Sequence, residues 1–186
     1  MRYSKKLICL LLVLGLAACH SAEARKPIKP VSHVDLSRYM GRWYVIAAIP
    51  TRFGGNGYNQ VETYHLEPNG DIDTSFRFRN GGFDGPMKSI HSTATVVPGS
   101  ADAQWTVHLF WLLHEQYIVG WLAPDYSRVI VARDARDYVW LMARTPHIPD
   151  EQYRDMVARV RAMGYDLRAL RKVPQQWPDS ARLSAR

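Results

Sequence analysis

Cys19 is the residue whose surroundings are arranged for a covalent reaction: it closes the run Leu16-Ala17-Ala18-Cys19. Arg2, Lys5 and Lys6 supply a positive start, and residues 7–16, Leu-Ile-Cys-Leu-Leu-Leu-Val-Leu-Gly-Leu, supply an apolar core. That order is the order of an export signal. The four residues ending in Cys19 resemble the bacterial lipobox, in which the cysteine is acylated and becomes the first mature residue. The reading predicts a signal peptide over 1–18 and lipid on Cys19. The apolar run is about half of the ~20 residues that a membrane-spanning helix needs.

The consequence for other chemistry is large. Cys9 leaves with the signal and Cys19 is consumed by lipid, so the mature domain keeps no thiol. A thiol nucleophile, a disulfide and a cysteine metal site are excluded together. His114-Glu115 begins like a zinc-protease motif, but Ile118 stands at the second histidine position, and the seven histidines contain no i, i+4 pair. No Gly-x-Ser-x-Gly elbow occurs. The cluster Gly54, Gly55 and Gly57 lacks the lysine and spacing of a phosphate cradle. The sequence therefore predicts no catalytic residue, no metal and no cofactor.

The elements behind these residues follow from composition and period. At 47% hydrophobic and 22% charged residues the chain has the make-up of one globular domain. Without residues 1–18 the basic count falls from 24 to 21 against 17 acids, a net +4. Much of it lies from Arg154 onward, as a solvated face or a contact for anionic headgroups. Nucleic acid is not expected as a partner. Residues 19–34, rich in Pro and Lys, read as a lipidated tether.

From Trp43 on, turn signals punctuate runs rich in Val, Ile, Thr and aromatics: Pro68-Asn69-Gly70, Asn80-Gly81-Gly82, Pro98-Gly99, Pro124-Asp125 and Asp134-Ala135. They predict eight strands at about 42–49, 58–66, 71–79, 87–97, 104–112, 116–123, 127–133 and 138–144. Ile72, Thr74, Phe76 and Phe78 alternate with Asp73, Ser75, Arg77 and Arg79, so one face is dry and the other wet. In the sixth strand Tyr117, Val119 and Trp121 share a side, with Ile118 and Leu122 opposite. Tyr153, Met156, Val157 and Val160 form one stripe of a helix from Asp150 to Met163, ended by Gly164 and packed outside the sheet.

Three stretches then carry a family resemblance: Gly41-Arg42-Trp43-Tyr44 at the first strand, Pro124-Asp125-Tyr126 between the sixth and seventh, and Trp140-Leu141-Met142-Ala143-Arg144-Thr145-Pro146 before the helix. Together they resemble the signature regions of the lipocalins, in particular the bacterial outer-membrane members. The resemblance spans about 35–173 and leaves 174–186 as a C-terminal tail. Two departures are Pro124, where Thr is usual, and Pro149, where a Ser or Thr cap is common. The resemblance implies an all-β fold, an eight-stranded antiparallel up-and-down barrel with one amphipathic C-terminal helix outside. It implies a barrel base built from Gly41, Trp43 and Arg144, and an open mouth framed by the loop from Ile49 to Gly57.

Alternation carried through that barrel gives an inward, ligand-facing set: Tyr64, Phe76, Phe78, Trp105, Val107, Leu109, Trp111, Tyr117, Val119, Trp121, Val129, Val131, Tyr138, Trp140 and Met142. Glu62 and Arg133 are the polar candidates for a headgroup contact. The orientation of residues 90–95 in the fourth strand stays open, because both parities are equally apolar. The resemblance implies a lipid-anchored, periplasm-facing outer-membrane protein that binds or carries a fatty acid or lysophospholipid for envelope maintenance. A lipid-processing isomerase or hydrolase, and a structural lipoprotein with a filled barrel, are the alternatives. The sequence leaves a homodimer open.

Overall fold

The computed structural model describes residues 25–50, 56–109 and 112–179. The signal segment, Cys19, Trp111 and the tip of the first loop lie outside the described residues. Eight strands follow one another in chain order: β1 (Gly41–Ile49), β2 (Gly57–Leu66), β3 (Ile72–Asn80), β4 (Met87–Val96), β5 (Gln104–Leu109), β6 (Leu113–Leu122), β7 (Arg128–Ala132) and β8 (Val139–Ala143). Each pairs antiparallel with the next, and β1 pairs with both β8 and β2, so the sheet closes into the expected up-and-down barrel.

Alternation sorts the side chains into two layers. Trp43, Tyr64, Phe76, Trp105, Tyr117, Val129, Val131 and Met142 join an inner cluster. Ile118, Ile130, Val139 and Leu141 point outward, into a second cluster with Met156 and Val160 of helix α2 (Asp150–Ala162). Apolar cover on the outside explains why these strands are hydrophobic on both faces. The substitution of Pro149 shows at the helix start: no side chain caps it, and Asp150 and Glu151 in the first turn supply the negative charge favoured there. Gly164, at φ +87°, ends it as the spacing predicts.

The structure overturns the expected placement of Trp121. A bulge between Val119 and Trp121 inserts one residue into β6, which reverses the parity beyond it. Val119 stays inside, Leu122 turns inward, and Trp121 faces out. Its ring lies between two guanidinium groups, Arg159 at 4.6 Å and Arg128 at 5.6 Å from its centroid. Gly120 sits in the bulge, where a Cβ would lie 3.0 Å from Met163 Cε, just past α2.

The described flanks of the barrel, residues 25–34 and 173–179, pack more closely than a tether and a tail. From residue 25 on, the N-terminal segment is fixed: Arg136 donates to the Lys26 carbonyl, Ile28 N to Asp134 Oδ1, Val31 N to the Val119 carbonyl and Val34 N to the Ala101 carbonyl. Ile28 and Val34 are buried. At the other end a short strand β9 (Arg171–Lys172) pairs with β1 at Ala47 and Ala48. The residues after it fill the gap where β1 and β2 part above Tyr44. Gln175 Nε2 donates to the Val45 and Gln60 carbonyls, and Asn59 N to the Pro174 carbonyl. An ion pair of 3.1 Å, almost wholly buried, joins Asp179 to Arg79.

One end of the barrel is plugged. A short helix α1 (Leu36–Tyr39), capped by the Asp35 side chain, runs beneath it and buries Tyr39. Trp43 is fully buried and donates its indole N–H to the Tyr39 carbonyl. Arg144 lies 3.7 Å from the Trp43 ring centroid, and its guanidinium donates to the carbonyls of Arg42, Arg38 and Tyr39. Gly41 has φ +89°, and its Cα faces Arg144, with 3.7 Å from a Cβ position to Nη1.

Arg144→Ala should therefore destabilise the barrel by roughly 1–3 kcal/mol, the sum of a lost cation–π contact and carbonyls left without donors. Arg144→Lys should recover only part of this, because an ammonium does not reproduce the planar fork. Urea unfolding midpoints check both, and an unchanged midpoint in the Ala variant would remove Arg144 from the closure.

Candidate functional site

Above the plug the strands enclose a cavity of about 410 Å³ that opens at the opposite end. That lies within the range of about 300–1,000 Å³ that small-molecule sites occupy. Among the described residues the barrel is not a filled core. Eight of the apolar and aromatic residues expected inside form its wall: Tyr64, Phe76, Trp105, Val107, Leu109, Tyr117, Tyr138 and Trp140. Phe78, Val119, Val129, Val131 and Met142 are also inside but pack behind or below the cavity in the inner cluster. Trp121 is outside, for the reason given above, and Trp111 lies outside the described residues.

The ladder settles the open parity in β4. Phe76 faces Ile90 and Thr74 faces Ser92 across β3 and β4, so Ile90, Ser92 and Ala94 point inward. Ile90, Ser92, Thr74, Pro50, Glu115 and Asp137 complete the wall. Thr74 and Glu115 were legible by parity, two residues from Phe76 and Tyr117, but a polar side chain gives no hydrophobic signal. Nothing local in the sequence marks Pro50 or Asp137.

The floor is an aromatic layer. Trp105 and Tyr117 stack with centroids 4.4 Å apart, and Tyr39 and Tyr64 meet Trp105 edge-on at 5.3 and 5.5 Å. The Tyr39 and Tyr117 hydroxyls are 2.7 Å apart, and the Tyr117 hydroxyl donates to that of Tyr64 at 3.0 Å. Burial pushes the pKa of all three phenols up, so the chain stays neutral. Glu62 sits just above. It pairs with Trp43 on β1 and Phe76 on β3, and is 3% exposed. Burial pushes its carboxyl up to about 8.

The mouth is ionic. Arg133 pairs with Glu115 and, at 3.3 Å, with Asp137, and its guanidinium lies 5.3 Å from the Tyr138 ring centroid. Arg133 Nε is buried yet has no hydrogen-bond partner among the described residues. The two polar candidates thus occupy opposite ends, Glu62 deep and Arg133 at the rim. Among the described residues no cluster of His, Cys, Asp and Glu could hold a metal ion.

Glu62 makes stability depend on pH in a definite direction. Its carboxyl is neutral in the fold up to about pH 8 but ionises near 4.5 when exposed. Below 4.5 both states are protonated and the benefit is complete; it is lost as pH rises toward 8. The wild-type urea midpoint should therefore fall between pH 5 and 8 relative to Glu62→Gln, which cannot ionise. Parallel pH profiles for the two proteins would show that Glu62 is not held neutral.

Comparison with known proteins agrees with this geometry. The lipocalin-like domain family matches residues 34–175. Temperature-induced lipocalin-1 of Arabidopsis thaliana is 31% identical over 81% of this chain and 84% of its own length. The outer membrane lipoprotein Blc of Citrobacter freundii is 30% identical over 85% and 89%. Bovine apolipoprotein D is 29% identical over 67% and 69%. Among solved structures, insecticyanin from Manduca sexta superimposes with a TM-score of 0.61 at 16% identity, covering 81% of this chain and 85% of that one. With a matched domain spanning most of the chain, and with signature residues meeting at the plugged end of a closed eight-stranded barrel, this chain belongs to the lipocalin family.

Proposed function

We propose that the protein is an envelope lipocalin, anchored by lipid on Cys19, that buries the acyl chain of a single-chain amphipathic lipid. Its ligand is a lysophospholipid or fatty acid with the headgroup at the Arg133 rim. The observation that carries this reading is the cavity itself: an aromatic and aliphatic wall closed below and ionic above. Each buried CH₂ contributes about 0.8 kcal/mol, so a dozen offer on the order of 10 kcal/mol before ordering costs. Low-micromolar dissociation constants follow.

The rim favours a zwitterionic headgroup over a plain carboxylate. Arg133 Nε is a buried donor without an acceptor among the described residues, and the carboxylates of Glu115 and Asp137 share the one guanidinium. A phosphate beside an ammonium gives Nε an acceptor and the two carboxylates a second cation, whereas a lone carboxylate brings a further negative charge to Glu115 and Asp137. Lipocalin relatives named as outer membrane lipoproteins support the envelope assignment.

The path of the N-terminal segment supports a mouth turned toward the membrane. Arg25 and Lys26 are held against the turn after β7, at the open end, by bonds to Ala135 and from Arg136. Arg25 lies only six residue steps after Cys19. At about 3.3–3.6 Å each they reach roughly 20 Å, so lipid on Cys19 keeps the mouth near the bilayer surface. Exposed Arg25, Lys26 and Lys29 would meet anionic headgroups there.

Titration with lysophosphatidylethanolamine should change tryptophan fluorescence saturably, because Trp105 and Trp140 line the cavity. Phe76→Asp should weaken binding at least tenfold while Arg77→Ala, on the outer face, leaves it nearly unchanged; circular dichroism checks that both fold. Equal effects from the two, or no saturable signal with any lipid, would reject a ligand in the barrel. Separately, Cys19→Ala should abolish incorporation of labelled palmitate and leave the signal uncleaved at that site, and equal labelling of both proteins would reject the anchor.

A further inference from the structure

An acyl chain alone leaves one feature of the cavity unexplained. Glu62 is 3% exposed, faces the cavity among aromatic side chains, and has no hydrogen bond or ion pair among the described residues. A buried carboxyl without a partner is costly, and a methyl terminus beside it would remove even the water that a vacant cavity allows.

Its neighbours extend the same unmet capacity. Tyr117 gives its proton to Tyr64, so Tyr39 must give its own to Tyr117. The Tyr64 O–H is then the end of the chain, and its proton has no acceptor among the described residues. Thr74 Oγ1 and Ser92 Oγ, on the same wall, are bonded to each other at 2.5 Å. Glu62 and Tyr64 are two residues apart on one face of β2, at the end of the cavity opposite Arg133.

We propose that Glu62 and Tyr64 form a second polar subsite near the cavity floor that takes a hydroxyl carried on the ligand's hydrocarbon chain, so that the preferred ligands are hydroxylated single-chain lipids. This rests on the reading that an acyl chain descends from the rim. A chain hydroxyl can accept from the Tyr64 O–H while donating to the Glu62 carbonyl oxygen, giving each of these two side chains a partner without burying a net charge. Because Glu62 is neutral near pH 7, an ammonium would have to ionise it first, and a carboxylate would meet a second acid beside it.

The test pairs ligands that differ only at the far end: laurate with ω-hydroxylaurate, and palmitate with ω-hydroxypalmitate, titrated against the wild-type protein at pH 7. One ω-hydroxylated member should bind about tenfold more tightly than its partner, the worth of one satisfied buried hydrogen-bonding group. The chain length at which this appears reports the depth of the subsite. Glu62→Leu should reverse the preference, and Tyr64→Phe should reduce it. Equal affinities within both wild-type pairs would overturn the subsite while leaving lipid binding intact, and this comparison needs no variant to fold. A preference that survives in Glu62→Leu would overturn the role of Glu62. Tighter binding of ω-aminolaurate than of ω-hydroxylaurate would overturn the hydroxyl in favour of an ion pair. No binding of any of the four acids, or of lysophosphatidylethanolamine, would overturn the underlying reading instead.

Discussion

The guanidinium of Arg144 ties together segments that are far apart in the chain. It covers the Trp43 ring and binds the carbonyls of Arg38, Tyr39 and Arg42, while its own backbone N–H bonds Ser127 just after the Pro124-Asp125-Tyr126 turn. That turn contributes in its own right, since the Tyr126 hydroxyl accepts from Asp35 N and its ring underlies Arg38 at 3.9 Å. The three signature stretches are thus one contact seen from three places in the sequence. An up-and-down barrel is otherwise open at both ends; with one end sealed, its interior becomes a blind cup with a single approach.

A cup of this shape separates apolar from polar along its axis. The wall is aromatic and aliphatic, the rim holds the Arg133–Glu115 ion pair, and the floor carries hydroxyls that stay neutral because water is excluded. Recognition of an amphipathic molecule then has a direction imposed by the fold. The two faces of each strand also do different work: the same β6 that presents Tyr117 to the cavity presents Ile118 to α2.

Much of this was legible in the sequence because strands and turns signal locally. Alternation in β3 and β5 placed Phe76, Trp105 and Val107 correctly, and the expected bounds of the eight barrel strands lie within a few residues of those observed, whereas β9 carried no signal. Trp121 was misplaced because a bulge is a property of pairing, invisible in a period of two until the partner strand is known. The orientation of β4 was undecidable for a related reason: only the ladder to β3 distinguishes Ile90 from His91. The packed stretches 25–34 and 173–179 have no period at all, since they are held by backbone bonds and scattered side chains. Asp137 joins the site through a hairpin turn, which no pattern in its own strand could announce.

The segment wedged between β1 and β2 sets an order of events during folding. β1 precedes in the chain every strand that pairs with it, yet its upper half lacks a neighbour on one edge until Arg171 to Gln175 arrive. The hairpins from β2 to β8 can zip as they emerge, each from contacts close in sequence. Completion of the seam waits for Arg171 to Gln175, so a barrel without them carries an unpaired β-edge that other chains could template upon. Docking of this segment is therefore the step that covers that edge. A fusion or truncation made just after α2 acts on that step even though it lies far from the cavity.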